Sequence, residues 1–433
     1  MNQTLLAASS INQDDERSIE VNQAIDIALN DIKTLGCKCE IHTYGHAITI
    51  YEARILDHHK NVLALGTGKG EYPFNKAGAI FEAIEHFFGM SNLPAPQSLQ
   101  TINTQVLADQ SVAHEYLPLK LLTDFPHQDL FCSTYHEYNQ PNNKLILPAF
   151  LWAPEILSRS EYICDSQNVQ LFSYLMKYSS NSGIASGLTT QDALLHSINE
   201  AIERDGLGAF LYQYCYKQTS SKLPVIDKES LPEPLKSNIQ EIEQHVNDQC
   251  ILINATTNLR VPVIAAIFKN YHKQQLIPAP GFGASLYPEI AIKRAVHEAL
   301  QIMFAAENYH DQRVASWKRD WQRAQQSDAY ARCTQFNLQP YLDNDRLDFQ
   351  SFERLHHKSV TLDAHAHVNQ QISRLISRLK KYNLTVYMQN LKKLKNGTNV
   401  VSVQIPGVSL FYLTSNGMMI PPHSRTITCM NPN

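Results

Sequence analysis

The chain has 433 residues, 37 Lys+Arg against 41 Asp+Glu for a formal net charge of −4, and 43% hydrophobic residues. That length holds either one large enzyme-like domain or a few of about 100–200 residues each, and the composition excludes wholesale disorder. A slightly negative chain has no general attraction for DNA, and no apolar run approaches the roughly 20 residues of a membrane span.

Residues 1–20 are polar and read as a loose lead, with neither the basic start nor the apolar stretch of a signal peptide. Apolar residues at helical spacing then run from Ile19 to Leu35 and stop at Gly36. Strand-like stretches at 47–56 and 61–65 lead into a glycine-rich turn, Gly66 to Gly70, and a helix over 75–88. The stretch 93–144 is broken by Pro, Gln, His and Asn and reads mostly as connection and insertion. A glycine-bearing loop, 179–187, opens a helix over 190–214, and 251–268 reads as two strands. A third glycine loop, Gly281-Phe282-Gly283, precedes a helix over 288–307. A polar segment, 317–348, is helical or irregular. A helix over 368–381 and strands at 384–389 and 399–405, around Asn396-Gly397, close the pattern. Helices and strands mix without a regular βαβ beat, so the expected class is α+β, a single large domain over 61–433 preceded by the segment 1–60. Eight Cys are scattered, and only Cys37 and Cys39 lie close together. No second pair completes a zinc site, so reduced thiols and a cytoplasmic chain are expected.

The informative feature is an internal echo. Three times a glycine-bearing loop feeds a helix carrying Glu-Ala-x-Glu or Glu-Ala-x-Gln: Glu82 to Glu85, Glu200 to Glu203, and Glu298 to Gln301. Positions i and i+3 share a helix face, so each helix presents its pair in one direction. Ile80, Phe81, Ile84, Ile198 and Ile202 surround the pairs, and buried like charges need a cation. Oxygen donors without paired His or Cys suit Mg²⁺, and Mg²⁺ held by carboxylates suggests a phosphate ligand. A lone Glu-x-x-Glu is usually a solvated helix face; three after glycine loops are harder to dismiss, yet name no reaction. Gly66 to Gly70 has the wrong spacing for a Walker A loop, and Gly281-Phe282-Gly283 lacks the third glycine of a dinucleotide fingerprint.

The combination resembles the YcaO family: Gly68-Lys69-Gly70 followed by Glu82 and Glu85, then Asn181 to Gly187 followed by Glu200-Ala201-Ile202-Glu203-Arg204-Asp205. Further matches run through 256–267, 281–301 and 400–407. The resemblance implies an ATP- and Mg²⁺-dependent enzyme that activates backbone amides of a ribosomally made precursor peptide. A neighbouring Cys, Ser or Thr as nucleophile would give a thiazoline or oxazoline, sulfide a thioamide, and an amine an amidine. It implies Glu82, Glu85, Glu200 and Glu203 as Mg²⁺ ligands. Lys69, Ala185, Ser186, Gly187, Arg204, Arg294, Glu298 and Gln301 would line the ATP site, while no catalytic residue is singled out. His86 stands where many relatives have Arg, and only Pro432 marks the tail where azoline-forming relatives often alternate prolines.

A separate leader-peptide-binding (E1-like) or TfuA-like partner is implied, and a homodimer or heteromeric complex fits the family. The other class of reading is a non-catalytic scaffold subunit. His58-His59, His356-His357 and His365-Ala366-His367 read as surface or loop histidines. The basic run from Arg378 to Lys395 reads first as a solvated face and second as a dock for an acidic leader or RNA.

Overall fold

The computed structural model describes residues 16–45, 49–163, 168–218, 220–270, 280–308, 310–358 and 366–430. It is α+β, as the mixed pattern predicts, and a recurring helix–strand–strand–strand–helix unit organises it. In the first unit, α1 (Val21–Thr34) is followed by the antiparallel strands β1 (Lys38–Tyr44), β2 (Ile50–Leu56) and β3 (Val62–Gly68). Helix α2 (Phe74–His86) then packs on β3.

Three strands outside the units follow: β4 (Gln100–Asn103), β5 (Asp129–Glu137) and β6 (Gln140–Pro148). Next come β7 (Ile184–Gly187), α3 (Thr190–Phe210) and β8 (Leu223–Ile226). The second unit is continuous: α4 (Glu233–Val246), β9 (Cys250–Asn254), β10 (Val263–Phe268), β11 (Gly281–Ala284) and α5 (Pro288–Asn308). Its sheet is extended by β8, which pairs in parallel with β12 (Leu347–Gln350). The third unit is assembled from two distant stretches. Helix α6 (Val368–Lys380), β13 (Tyr387–Lys393) and β14 (Asn399–Gln404) come from the end of the chain, and β14 pairs with β7, which feeds α3. Packing of α6 on α3 closes the unit as α1 on α2 closes the first.

The glycines explain why these units repeat. A Cβ at Gly66 would lie 2.2 Å from the Ala83 amide nitrogen, and one at Gly281 would lie 2.2 Å from that of Ala299. Gly68 and Gly283 meet the Ala79 and Ala295 nitrogens in the same way, each at 2.6 Å. Strand and helix backbones are thus in direct contact, which only glycine opposite alanine permits. In the third unit Gly187 plays this part against Ala193, at 2.7 Å. The three expected glycine loops are therefore corrected: Gly66, Gly68, Gly187, Gly281 and Gly283 lie in strands, and turns occupy only the short links to the helices.

Further expectations change. The stretch 93–144 contains β4, β5 and much of β6 and builds one wing of a six-stranded sheet. The last strand pair begins later, at Tyr387. Of the polar lead, residues 1–15 lie outside the described residues, whereas Glu16 is buried. The boundary expected at 60/61 falls between β2 and β3, which are hydrogen-bonded neighbours of one sheet. Among the described residues no helix is long and apolar enough to cross a membrane.

Candidate active site

The helices α2, α3 and α5, one from each unit, turn equivalent faces toward a shared cavity of about 410 Å³. Eleven of the twelve residues picked out in the sequence line it: Lys69, Glu82, Glu85, Ser186, Gly187, Glu200, Glu203, Arg204, Arg294, Glu298 and Gln301. Ala185 does not. It is fully buried in β7, where a small side chain lets the strand lie against its neighbours.

The carboxylates are held by the strands of the units. Thr67 donates its backbone N–H to Glu82 at 2.8 Å, and Ser186 donates its own to Glu85 at 2.8 Å. Glu200 accepts from the Ser182 hydroxyl and the Gly183 N–H, both at 3.1 Å. Gln301 donates to the Thr67 hydroxyl. Helix α5 thus reaches the strand of the first unit, as Glu85 of α2 reaches the strand of the third. Fixing the acceptors from the backbone sets their directions before any ligand arrives.

Cations are few beside this acidic array. Lys69 Nζ lies 2.6 Å from Glu298 Oε2, and the Arg204 guanidinium lies 3.5 Å from both Glu200 and Glu203. Arg294 donates to the Ala284 carbonyl at 2.8 Å and pairs with Glu16, so a phosphate reaching Arg294 has to compete with that carboxylate. Burial pushes the Glu203 carboxyl up to about 7, with Glu298 adding to the rise. Burial likewise raises Glu82 and raises Glu85 well above the ordinary range. Arg204 is held charged by Glu203, Glu200 and Glu298 against the opposing effect of burial.

Residues that the sequence did not single out complete the walls. Asn199 is 3% exposed, and neither of its amide atoms has a partner. His297 is 6% exposed with Nδ1 unpartnered, and burial keeps it neutral by lowering it to about 4. His196 also faces the cavity, exposed there, and the charges of Arg294, Arg17 and Lys69 favour its neutral form. Asn199 and His297 each stand one residue before the repeated Glu, so the echo itself could have found them. Glu16 and Arg17 line the cavity from the polar lead, where no sequence signal marked them.

A cation fits this array. The donors are hard oxygens on carboxyls that burial raises, so their ionised forms would gain from a cation. Among the described residues no three His, Cys, Asp or Glu converge closely enough to hold an ion by themselves. Mg²⁺ commonly keeps several waters and is held by one or two carboxylates beside phosphate oxygens.

A family model described as YcaO cyclodehydratase, ATP- and Mg²⁺-binding, matches residues 67–409. The chain belongs to the YcaO family. Among solved structures, the YcaO protein of Methanopyrus kandleri bound with AMPPCP and Mg²⁺ is similar with a TM-score of 0.60 and 14% identity, over 94% of this chain and 96% of that one. A heterocyclase in complex with substrate and cofactor gives a TM-score of 0.62 at 17% identity, over 90% of this chain and 53% of its own. The chain therefore spans about half the length of that heterocyclase. The E. coli microcin synthetase McbBCD complex with pro-MccB17 bound gives 0.55 at 12% identity, over 86% and 88% of the two chains. No curated protein matches this YcaO chain in sequence. The family to which it belongs is described as binding ATP and Mg²⁺.

The titration of the array has a visible consequence. Glu203 rises from an ordinary 4.5 to about 7, so the folded state holds the proton more tightly than the unfolded chain. The Glu203 contribution to stability without ligand is thus fully present below the unfolded value and is lost as pH rises through the folded value. Metal binding requires the ionised form and releases the proton. The rise in melting temperature produced by Mg²⁺ with a non-hydrolysable ATP analogue is therefore expected to be small at a pH below that value and large at a pH above it. Thermal unfolding at the two pH values checks this; an equal rise at both would show that Glu203 ionisation does not limit binding.

Proposed function

We propose that this chain uses ATP and Mg²⁺ to activate backbone amides of a ribosomally made precursor peptide in the cytosol. The product is a thiazoline or oxazoline formed from a Cys, Ser or Thr of that peptide. The observation that carries the reading is the set of five carboxylates and Gln301 on equivalent faces of α2, α3 and α5, with Lys69, Arg204 and Arg294 beside them. ATP supplies the phosphoryl group that turns the amide oxygen into a leaving group, so that ring closure expels it as phosphate.

Glu82, Glu85, Glu200 and Glu203 would hold Mg²⁺, with Glu298 and Gln301 completing the nucleotide site. Arg204 is oriented by Glu200 and Glu203 but not tightly bonded to either. Its planar fork is therefore available to phosphate oxygens. Lys69 already reaches across to Glu298 and places a second positive charge in the same cavity. Backbone donors from Thr67, Gly183 and Ser186 hold the carboxylates still, which limits reorganisation as charge shifts. Ser186 and Gly187 form the strand edge of the site, and Ala185 supports it from the core. A separate E1-like or TfuA-like protein is the expected means of delivering the leader peptide, and a homodimer is compatible with the fold.

A second reading uses the same amide activation with sulfide or an amine as nucleophile, giving a thioamide or an amidine. Incubation of the chain and its partner with precursor peptide, ATP and Mg²⁺ separates the readings by peptide mass. Loss of one water supports ring closure, to an azoline where fragmentation places it at a Cys, Ser or Thr and to an amidine where it places it at an amine, and replacement of oxygen by sulfur supports thioamidation. ATP turnover that leaves the peptide mass unchanged would sink both.

A further inference from the structure

Gly208 lies on α3 one turn after Arg204 and on the same face, where glycine is among the poorest residues for a helix. Packing demands it. A Cβ built there would lie 2.3 Å from the Ser409 hydroxyl and 3.1 Å from the Tyr412 amide nitrogen. The stretch that follows β14 therefore lies directly on α3. The Ser409 N–H donates to Asp205 at 2.9 Å and fastens that stretch beside Arg204. Next to Tyr412 in sequence, Phe411 packs edge-on against Tyr212 and Tyr216, with ring centroids 5.9 and 5.4 Å apart. The backbone at Tyr412 is thus set by its neighbours before any ligand is considered.

Its side chain reaches back along α3 to Arg204. The guanidinium carbon stands 5.8 Å from the centre of the Tyr412 ring, inside the roughly 6 Å over which a cation is drawn to an aromatic face. The carboxylates beside the same guanidinium hold it less firmly. Glu200 and Glu203 approach only to 3.5 Å, longer than a good N–H···O bond, so they leave the tilt of its plane open. The Tyr412 hydroxyl meets the loop that carries Glu200. Burial raises this hydroxyl above the ordinary tyrosine range, while hydrogen bonding to Ser180 and Ser182 and the charge of Arg204 oppose the rise. Ser182 in turn donates its hydroxyl to Glu200 at 3.1 Å, and its N–H to the Ser180 hydroxyl at 3.1 Å. One buried tyrosine therefore touches both the cation of the site and the loop that holds one of its carboxylates.

The geometry points to Tyr412 as a positioning residue for Arg204: its ring backs the guanidinium plane and keeps the free edge of the fork turned toward the phosphate side of the cavity. The inference rests on the nucleotide reading proposed above and adds what orients the cation of that site. It also gives a part in the site to the stretch after β14, which carries none of the site residues picked out in the sequence. Packing alone would explain an aromatic side chain at 412, but it would not make ligand affinity depend on the negative charge of the ring face.

The test varies that charge while keeping the shape of the ring. Tyr412→Phe, and phenylalanines bearing one, two or three fluorines at the same position, are each titrated calorimetrically with ATP and with inorganic tripolyphosphate in the presence of Mg²⁺. Tyr412→Phe is the reference, since it drops the hydroxyl and keeps the ring. Fluorine drains the negative face without emptying its volume. Affinity is expected to fall with each fluorine, to a total of about 3- to 30-fold, the span of a cation–π contact. Both ligands should lose alike, because phosphates and not the base meet Arg204. Affinity that ignores the fluorines would overturn the inference and leave Tyr412 a packing residue. A loss confined to ATP would also overturn it, since the ring would then act on the base side. Binding of neither ligand by the unaltered chain would instead remove the nucleotide reading itself, and this inference with it.

Discussion

Replacing Glu203 with Gln is expected to weaken Mg²⁺-dependent ATP binding by at least about 100-fold, the upper end of what disturbing the groups around a metal costs. The ligand-free protein should at the same time become more stable at a pH where Glu203 is ionised, by at least on the order of 1 kcal/mol, since ionising a carboxyl that holds its proton more tightly than in the unfolded chain costs about 1.4 kcal/mol for each tenfold. Both parts follow from the same geometry. Glu203 is 13% exposed, is raised by burial and by Glu298, and has Arg204 no closer than 3.5 Å. Its ionised form is therefore disfavoured until a cation enters, and Gln removes the repulsion together with the ligand oxygen. A residue kept for packing or for a scaffold would behave differently: its replacement would leave binding intact or lower stability. Calorimetric titration paired with thermal unfolding reads both quantities on one sample. Loss of binding with a lowered melting temperature would mean that Glu203 is a structural partner of Arg204 and not a metal-directed carboxylate.

Much of the site was legible because helical spacing is strict. Once Glu82 and Glu85, Glu200 and Glu203, and Glu298 and Gln301 lie at i and i+3 after glycines, each pair must share a face, whatever the rest of the chain does. The glycines themselves misled. Gly-x-Gly reads as a turn because turns are where free glycine conformations are most needed, but Gly66, Gly68, Gly281 and Gly283 are required by the backbone of a helix lying on the strand. That reason lies in tertiary packing and leaves no local trace. The third unit was hidden for a different reason. Its strands β13 and β14 follow β7 and α3 by more than a domain's worth of chain, and the pairing of β14 with β7, from Asn399 opposite Gly187 to Ser402 opposite Ile184, brings them together. Glu16 shows the opposite limit. An acidic residue in a polar lead carries no signal of burial, yet it reaches Arg294 and Ser285 across most of the chain.

Breaking the ion pair between Asp205 and Arg425 is expected to be the costliest single change outside the cavity. Asp205 follows Arg204 on α3 and is fully buried, and the Arg425 side chain is 9% exposed. Arg425 Nε donates to Asp205 at 2.9 Å, the Ser409 N–H donates to the same carboxylate at 2.9 Å, and the Thr257 hydroxyl donates at 3.3 Å. A second Arg425 nitrogen reaches the Asn258 side chain at 3.1 Å. Four segments thus meet on one carboxylate: α3, the link before β10, the stretch after β14, and the short C-terminal helix α7 (Ser424–Thr428). Arg425→Met leaves a buried carboxylate without its cation, and removing one partner of a buried pair costs about 3–5 kcal/mol. Asp205→Asn combined with Arg425→Met is expected to recover part of that loss, because Asn keeps an acceptor for Ser409 while neither charge remains. Chemical unfolding of the three proteins supplies the comparison. Because Asp205 and Arg204 are neighbours on one turn, the single variant should also loosen the position of Arg204 and lower ATP affinity, whereas the double variant should restore both together. Recovery of stability without recovery of ATP affinity would mean that the charge of the pair, and not only its packing, positions Arg204.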